Sequence, residues 1–90
     1  MENKKKQPFF SKKFLKILEK NSRKNKDLIK KIWDQVNKLL RSPELGKPLR
    51  HDMKNERRVH IGSFVLVYKI SGNKIHFLDF DHHDKVYKKK

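Results

Sequence analysis

Residues 63–70 read Ser-Phe-Val-Leu-Val-Tyr-Lys-Ile, and this segment decides the fold. Most of its residues are β-branched or aromatic, which is typical of a β-strand. Apolar side chains occur at both odd and even positions, so we expect both faces of the strand to be covered, as in the centre of a sheet. Turn-forming residues flank it, with Gly62–Ser63 on one side and Ser71–Asn73 on the other. A strand is therefore predicted before and after it.

The flanking segments complete a three-stranded antiparallel meander. Arg57–Ile61 precedes the central strand, and Lys74–Phe80 follows it. Turns of this length join neighbouring antiparallel strands. In the first strand Arg58 and His60 have the same parity, so their side chains are expected on the face of the sheet opposite to that of Val59.

Two amphipathic helices are predicted upstream of the sheet. The first begins after Ser11 and the second after Asn25, both suitable N-cap residues, and Pro43 ends the second. Apolar residues follow helical spacing at Phe14, Leu15, Ile17 and Leu18, and again at Leu28, Ile29, Ile32, Trp33, Val36, Leu39 and Leu40. Residues 8–10 allow a short additional strand. The sequence thus predicts an α+β domain with both helices on one face of a small antiparallel sheet.

The charge of the chain points to a polyanionic partner. Its 90 residues include 25 Lys and Arg against 10 Asp and Glu, a formal net charge of +15 at pH 7. In the free protein these positive charges repel one another, and binding to phosphates is favourable because it releases counterions. Nucleic acid is the favoured partner, and an acidic membrane surface or an acidic protein are the alternatives.

Several classes of protein are excluded. The chain has no cysteine, which excludes disulfides and thiolate zinc sites. It is too short for a fold built from eight βα units. It also lacks an apolar run near the ~20 residues of a membrane span or a secretory signal, so we expect no membrane partner and a cytoplasmic location. Residues 1–7 are predicted to form a flexible basic tail, and residues 8–90 the folded domain.

The histidines are the groups best suited to acid–base chemistry. They are His51, His60, His76, His82 and His83. RNA can be cleaved without a metal if a base accepts the proton of the ribose 2′-OH, an acid protonates the leaving 5′ oxygen, and cations stabilise the phosphorane. A basic sheet face with imidazoles offers all three, although an ordinary structural role is the simpler interpretation of any single histidine.

The segment Asp81-His82-His83-Asp84 raises the question of a metal site. Neighbouring residues of a strand point to opposite faces, so its two imidazoles can share an ion only if the segment is not extended. We therefore predict no metal and no cofactor. Instead we expect Asp81 and Asp84 to favour the protonated form of His83, as a general acid requires.

Three motifs together resemble the RelE/ParE superfamily of type II toxins over about residues 9–87. They are Gly46-Lys47-Pro48-Leu49, Leu66-Val67-Tyr68-Lys69-Ile70, and a terminal His-x-Asp-x-Val-Tyr at residues 82–87. The resemblance implies a RelE-like βααβββ fold and a microbial endoribonuclease that cleaves mRNA in the ribosomal A site. It also implies contact with ribosomal RNA and a cognate acidic antitoxin that forms a hetero-oligomer with the toxin.

The likeness is greatest to the YafQ branch of this superfamily. By this resemblance the catalytic candidates are His51, His60, His83 and Tyr87, and the RNA-binding candidates are Lys47, Arg50, Lys54, Arg57, Arg58 and Lys85. His83 would be the general acid, His60 or His51 the base, Arg58 the phosphate ligand and Tyr87 a stacking residue.

The sequence departs from the family pattern at a few positions, which keeps another function open. Two arginines of the RelE branch are replaced by Val65 and His83, and an acidic residue of the YafQ branch by Ser63. Asp79 or Asp81 are candidates to supply the missing carboxylate. The alternatives are a non-catalytic toxin similar to the ParE inhibitors of DNA gyrase, and a basic nucleic-acid-binding module.

Overall fold

The structure, a computed structural model, describes residues 5–48 and 56–88, with side chains up to residue 86. In chain order the elements are β1 (Gln7–Phe10), α1 (Lys12–Asn21), α2 (Lys26–Arg41), a 3₁₀ turn (Pro43–Leu45), β2 (Lys47–Pro48), β3 (Glu56–Ile61), β4 (Phe64–Ser71), β5 (Lys74–His82) and α3 (His83–Lys88). The predicted βααβββ order is therefore present, with three short elements added to it: the 3₁₀ turn, β2 and α3.

The strands form one sheet in the order β1-β5-β4-β3-β2. The pairs β2–β3, β3–β4 and β4–β5 are antiparallel, and β4 lies in the middle as its apolar character predicted. Strand β1 pairs with β5 in parallel, so the sheet is mixed rather than purely antiparallel. The reason is that β1 precedes both helices and joins the sheet at the free edge of the last strand. The α+β architecture predicted from the sequence is confirmed.

Both predicted helix starts are confirmed by their capping contacts. The Ser11 hydroxyl accepts a hydrogen bond from the backbone N–H of Phe14 at 3.0 Å, and the Asn25 side chain accepts one from that of Leu28 at 3.2 Å. Each cap satisfies one of the amide groups that a helix start leaves without a partner. The Ser11 hydroxyl also donates to the carbonyl oxygen of Leu78 at 2.9 Å, which attaches the start of α1 to β5.

The core lies between the two long helices and one face of the sheet. Its buried residues are Phe14, Leu18, Leu28, Ile32, Val36, Leu39, Leu40, Ile61, Leu66, Tyr68, Ile75, Phe77 and Phe80. Phe10 of β1 stacks on Phe14 and Phe77, with ring centroids 5.6 and 5.4 Å apart, so the edge strand is also fixed by the core. Leu15 and Trp33, which share the predicted stripes, remain 48% and 38% exposed.

Both ends of the described chain contact the rest of the domain. The backbone N–H of Lys6 donates to the carbonyl of Leu40 at 2.9 Å, and Gln7 begins β1, so these two residues of the predicted basic tail make contacts with the domain. At the other end, β5 continues to His82, two residues beyond the predicted end of the strand at Phe80, and α3 follows. Val86 of α3 packs on Val65 and Val67, on the sheet face opposite to α1 and α2.

A buried hydroxyl ties the end of the helical layer to the central strand. The Tyr68 hydroxyl donates to the carbonyl of Pro43 at 2.6 Å and accepts from the backbone N–H of Gly46 at 2.9 Å. The guanidinium of Arg57 donates to the carbonyl of Gly46 at 2.6 Å. A Cβ at Gly46 would meet the Tyr68 hydroxyl and lie 2.7 Å from the carbonyl oxygen of Arg58, so only glycine fits there. We call these contacts the Tyr68 clamp.

We predict that Tyr68→Phe lowers the free energy of unfolding by about 1–3 kcal/mol, because two buried backbone groups lose their partner. Urea denaturation followed by circular dichroism measures the loss as a lower midpoint at unchanged slope. Ser22→Ala is the matched control, since it removes an exposed hydroxyl that bonds only the carbonyl of Glu19. A Tyr68→Phe effect no larger than the control would contradict the role of the clamp.

We also predict that the stability gap between the parent and Tyr68→Phe narrows above about pH 10. Burial raises the pKa of Tyr68, against the opposing effects of the Gly46 hydrogen bond and the Arg57 charge. In the unfolded chain tyrosine loses its proton near pH 10. Above that pH only the unfolded state releases this proton, so the parent loses stability that the phenylalanine variant does not. Urea denaturation from pH 8 to 11 tests this, and a constant gap would be the opposing result.

Candidate functional site

The sheet face opposite to α1 and α2 carries polar side chains around a small apolar centre. Val65 and Val67 lie on this face with Val86, and residues paired directly across strands share a face. Two rows cross the sheet there: His60–Val65–Asp81 and Arg58–Val67–Asp79. We call this surface the polar face. The prediction that Arg58 and His60 lie together, away from the helices, is confirmed.

The β2–β3 edge of the polar face is cationic. Arg58 pairs with Lys47 of β2 and donates to the carbonyl of Pro48 at 3.0 Å. These two residues line a shallow concavity of about 250 Å³ together with Leu45, Val59 and His60. The two-residue strand β2 thus brings Lys47 next to Arg58. Two cations beside an imidazole form a setting that suits a phosphate group.

His83 lies at the end of the polar face that is formed by the β3–β4 turn. Its backbone N–H donates to the carbonyl of Ser63 at 3.0 Å, which fixes the first residue of α3 against that turn. His60 lies near the same turn on β3, in the row that ends in Asp81 two residues before His83. His60 and Asp81 are two strand spacings apart, about 10 Å. The fold therefore brings His60 and His83 to one end of the sheet.

Carboxylates lie on the β5 side of the polar face, opposite to its cationic edge. Asp79 accepts a hydrogen bond from the Lys13 ammonium at 3.2 Å, where β5 continues past the end of β1. Asp81 accepts one from the backbone N–H of His82 at 2.8 Å. Asp79 and Asp81 thus lie at the β5 ends of the two rows that begin at Arg58 and His60. The position of Asp79 and Asp81 on the polar face follows from the pairing of β4 with β5. Sequence parity alone therefore could not rank them as candidates for the missing carboxylate.

The remaining predicted site residues fall into different environments. Arg57 pairs with Tyr68 and binds the Gly46 carbonyl, so its contact serves the Tyr68 clamp and not the polar face. Lys85 is exposed on α3. Arg50, His51 and Lys54 lie outside the described residues, and for Tyr87 the structure describes the backbone alone. Of the four catalytic candidates, the structure therefore places the side chains of His60 and His83.

Sequence reasoning missed the contacts that His82 and Asp84 make. The rings of His82 and His83 stack with centroids 5.0 Å apart, and Asp84 Oδ1 lies 3.2 Å from His83 Nδ1. The edge of His82 also meets Phe64 at 5.9 Å between centroids. The sequence feature that could have indicated these contacts is the strand-forming run that ends at residue 80, which could have been extended to His82.

Within the part of the chain that the structure describes, no helix is long and apolar enough to cross a membrane.

Comparisons with known proteins agree on one family. The family described as "ParE toxin of type II toxin-antitoxin system, parDE" matches residues 9–87. The chain is 44% identical over 78 residues to the RelE4 protein of Methanocaldococcus jannaschii, which covers 83% of each chain.

Solved structures show the same fold at lower identity. The YoeB/ParE toxin from Agrobacterium tumefaciens superimposes with a TM-score of 0.76 at 20% identity, covering 86% of this chain and 98% of that one. The toxin of the DinJ–YafQ complex from Escherichia coli has a TM-score of 0.70 at 21% identity, covering 91% of this chain and 98% of that one. Such structural neighbours support the fold, and the family match extends over nearly the whole chain.

Proposed function

Because the chain belongs to the ParE toxin family of type II toxin–antitoxin systems, we propose that it is an endoribonuclease that cleaves mRNA on the ribosome. The observation that carries this proposal is the polar face itself. It holds Arg58 and His60 on one strand, and the backbone of His83 is hydrogen-bonded to the β3–β4 turn at the end of the sheet near His60. A cation and two imidazoles within reach of one phosphate are what metal-independent RNA cleavage requires.

The proposed reaction is attack of the ribose 2′-OH on the adjacent phosphorus. His60, or His51 from the preceding loop, accepts the proton of that hydroxyl. A bond forms between the 2′ oxygen and phosphorus, and the bond from phosphorus to the 5′ oxygen breaks. His83 donates a proton to the leaving 5′ oxygen, while Arg58 and Lys47 stabilise the charge on the phosphorane. The products are a 2′,3′-cyclic phosphate and a 5′-hydroxyl.

The charge distribution suits docking on ribosomal RNA. Residues 11–42 include eleven Lys and Arg against three acidic residues, a net charge of +8. These residues form α1 and α2, whose apolar stripes face the core, so most of this charge lies on the outer surface of the helical layer. Contacts with RNA phosphates would position the polar face over the mRNA, and they would act in the cytoplasm, where the ribosomes are.

We further propose that an acidic antitoxin neutralises the protein as a hetero-oligomer. The solved DinJ–YafQ complex pairs a toxin of this fold with its antitoxin. In this chain the exposed large apolar side chains among the described residues are Phe9, Leu15, Trp33 and Leu45. An acidic partner would balance part of the charge of +15 while covering apolar surface.

A second function is favoured by the family match and by three residues. The matching family is named for the ParE toxin, and the RelE and YafQ patterns lose two arginines and one carboxylate here, at Val65, His83 and Ser63. A ParE-like toxin that binds its target without cleaving RNA needs no histidine set. Primer extension on mRNA translated with and without the purified protein separates the two functions.

We predict that His83→Ala slows mRNA cleavage by about 10²–10⁴-fold, the contribution of a general acid. Primer extension on translating ribosomes measures the rate, and ribosome binding should stay nearly unchanged. His76→Ala is the matched control. His76 pairs with Lys69 at the opposite end of β5 and stacks on Phe9 at 5.3 Å, so its loss should leave the rate intact.

Two results of the same assay would contradict the proposed mechanism or function. If His83→Ala and His60→Ala both cleave at the parental rate, the histidine mechanism is wrong. If the parent leaves translated mRNA intact, the non-catalytic ParE-like function replaces the nuclease.

We predict that Arg58→Ala both slows cleavage and weakens binding to the mRNA–ribosome complex. Loss of one phosphate contact should lower the magnitude of the slope of log K against log salt by about 1. Binding titrations between 50 and 300 mM KCl measure this slope, with Lys74→Ala as the control at the distant start of β5. An unchanged slope would remove Arg58 from the phosphate site.

A further inference from the structure

Two imidazoles and a carboxylate meet where β5 ends and α3 begins. His82 is the last residue of the strand, and His83 and Asp84 are the first two of the helix. Potential ligand atoms of the three side chains all lie within 4.8 Å of one another. Of these three residues the proposed mechanism uses His83 as the acid, and Asp84 was expected only to favour the protonated form of His83, so His82 has no assigned role.

The change of backbone direction explains this grouping. The sequence analysis argued against a metal because neighbouring residues of a strand point to opposite faces. The structure ends the strand between the two histidines, and the hydrogen bond from the His83 backbone to Ser63 holds the junction. The two rings consequently stack instead of pointing apart, with centroids separated by 5.0 Å. The geometric objection to a shared ion does not apply.

The Asp84 carboxylate faces both imidazoles. Its Oδ1 lies 3.2 Å from His83 Nδ1, and its Oδ2 lies 3.8 Å from His82 Nδ1. The backbone N–H of Asp84 also donates to His82 Nδ1 at 3.4 Å. Each carboxylate oxygen is thus directed at a different ring nitrogen, an arrangement that a cation between the three groups would stabilise.

The donor set and the spacing select a class of metal ion. Imidazole nitrogens with one carboxylate suit Zn²⁺, Ni²⁺, Co²⁺ and Cu²⁺ rather than Mg²⁺ or Ca²⁺. Zinc lies about 2.0–2.2 Å from nitrogen and oxygen ligands, so donors on one ion are roughly 3.4 Å apart. The ligand atoms lie within 4.8 Å of one another, so the widest pair needs to approach by at most about 1.4 Å. Rotation of these partly exposed side chains allows this approach; their exposures are 43%, 46% and 64%. A fourth position would remain for water.

We propose that His82, His83 and Asp84 bind one divalent transition-metal ion, with Zn²⁺ as the representative, and that the bound ion withdraws His83 from catalysis. The first half depends only on the three side chains. The second half rests on the proposed ribonuclease function, because an ion held by the His83 ring would block the approach of the leaving 5′ oxygen to that ring. Metal availability would then regulate the toxin at its own active site.

Binding is tested on untagged full-length protein by calorimetric titration with ZnCl₂, with Co²⁺ absorption spectra as a second readout. The parent should bind one ion at this site. His82→Gln and Asp84→Asn should each weaken that binding at least tenfold, while His76→Gln, a histidine outside the group, should not change it. Circular dichroism verifies that each variant is folded. Absence of saturable binding, or parental binding by both His82→Gln and Asp84→Asn, would overturn the site.

Regulation is tested by primer extension at zinc concentrations that saturate the parent. Zinc should inhibit the parent at least tenfold relative to the parent's own rate with chelator. The rate of His82→Gln with zinc should stay within twofold of that variant's own rate with chelator. Equal inhibition of both proteins would show that zinc acts at another site, and it would overturn the proposed regulation through His83. If the parent cleaves nothing even with chelator, the ribonuclease function and its regulation both fail, and the calorimetric result still decides the metal site.

Discussion

The hydroxyl of Tyr68 connects the central strand to the short turn that follows α2. It lies on the central strand and bonds the two ends of the short turn that follows α2. Through Gly46 it fixes the start of β2, and β2 carries Lys47 to its place beside Arg58. The cationic edge of the polar face therefore depends on one buried phenol and on a glycine that has no room for a side chain. The Tyr68 side chain is buried, so the contact is shielded from water, and this burial raises the pKa of Tyr68.

Long, strongly patterned segments were predictable from the sequence, and short ones were not. The two helices, their caps and β4 follow from local chemistry, as Ser11, Asn25 and the run through Tyr68 show. The two-residue β2 and the parallel pairing of β1 depend on partners distant in the chain, so no local pattern reveals them. The six-residue α3 is also too short to be stable alone. Its place is set by the contact of His83 with Ser63 and by the packing of Val86 on Val65.

The candidate site likewise contains residues that could be placed from the sequence and residues that could not. Strand parity was enough to place Arg58 and His60 on one face, because a side chain in a strand has only two directions. The placement of His83 required the resemblance to a family, since its position depends on where β5 stops. The grouping of His82 with His83 was missed for that reason. Where a strand gives way to a helix, alternation ends, and neighbouring side chains can converge on one point.

The parallel pairing of β1 with β5 also determines when the sheet can form during synthesis of the chain. Phe10 must meet Phe77, and Gln7 must meet Lys74, contacts that span most of the chain. Contacts of such long sequence separation form late and slow folding. During synthesis β1, the helices and β3 are all made before β5, so β1 can pair only after residues 74–77 have been made. His83 follows β5 directly. The complete sheet and the proposed catalytic acid are therefore both absent until β5 has been synthesised.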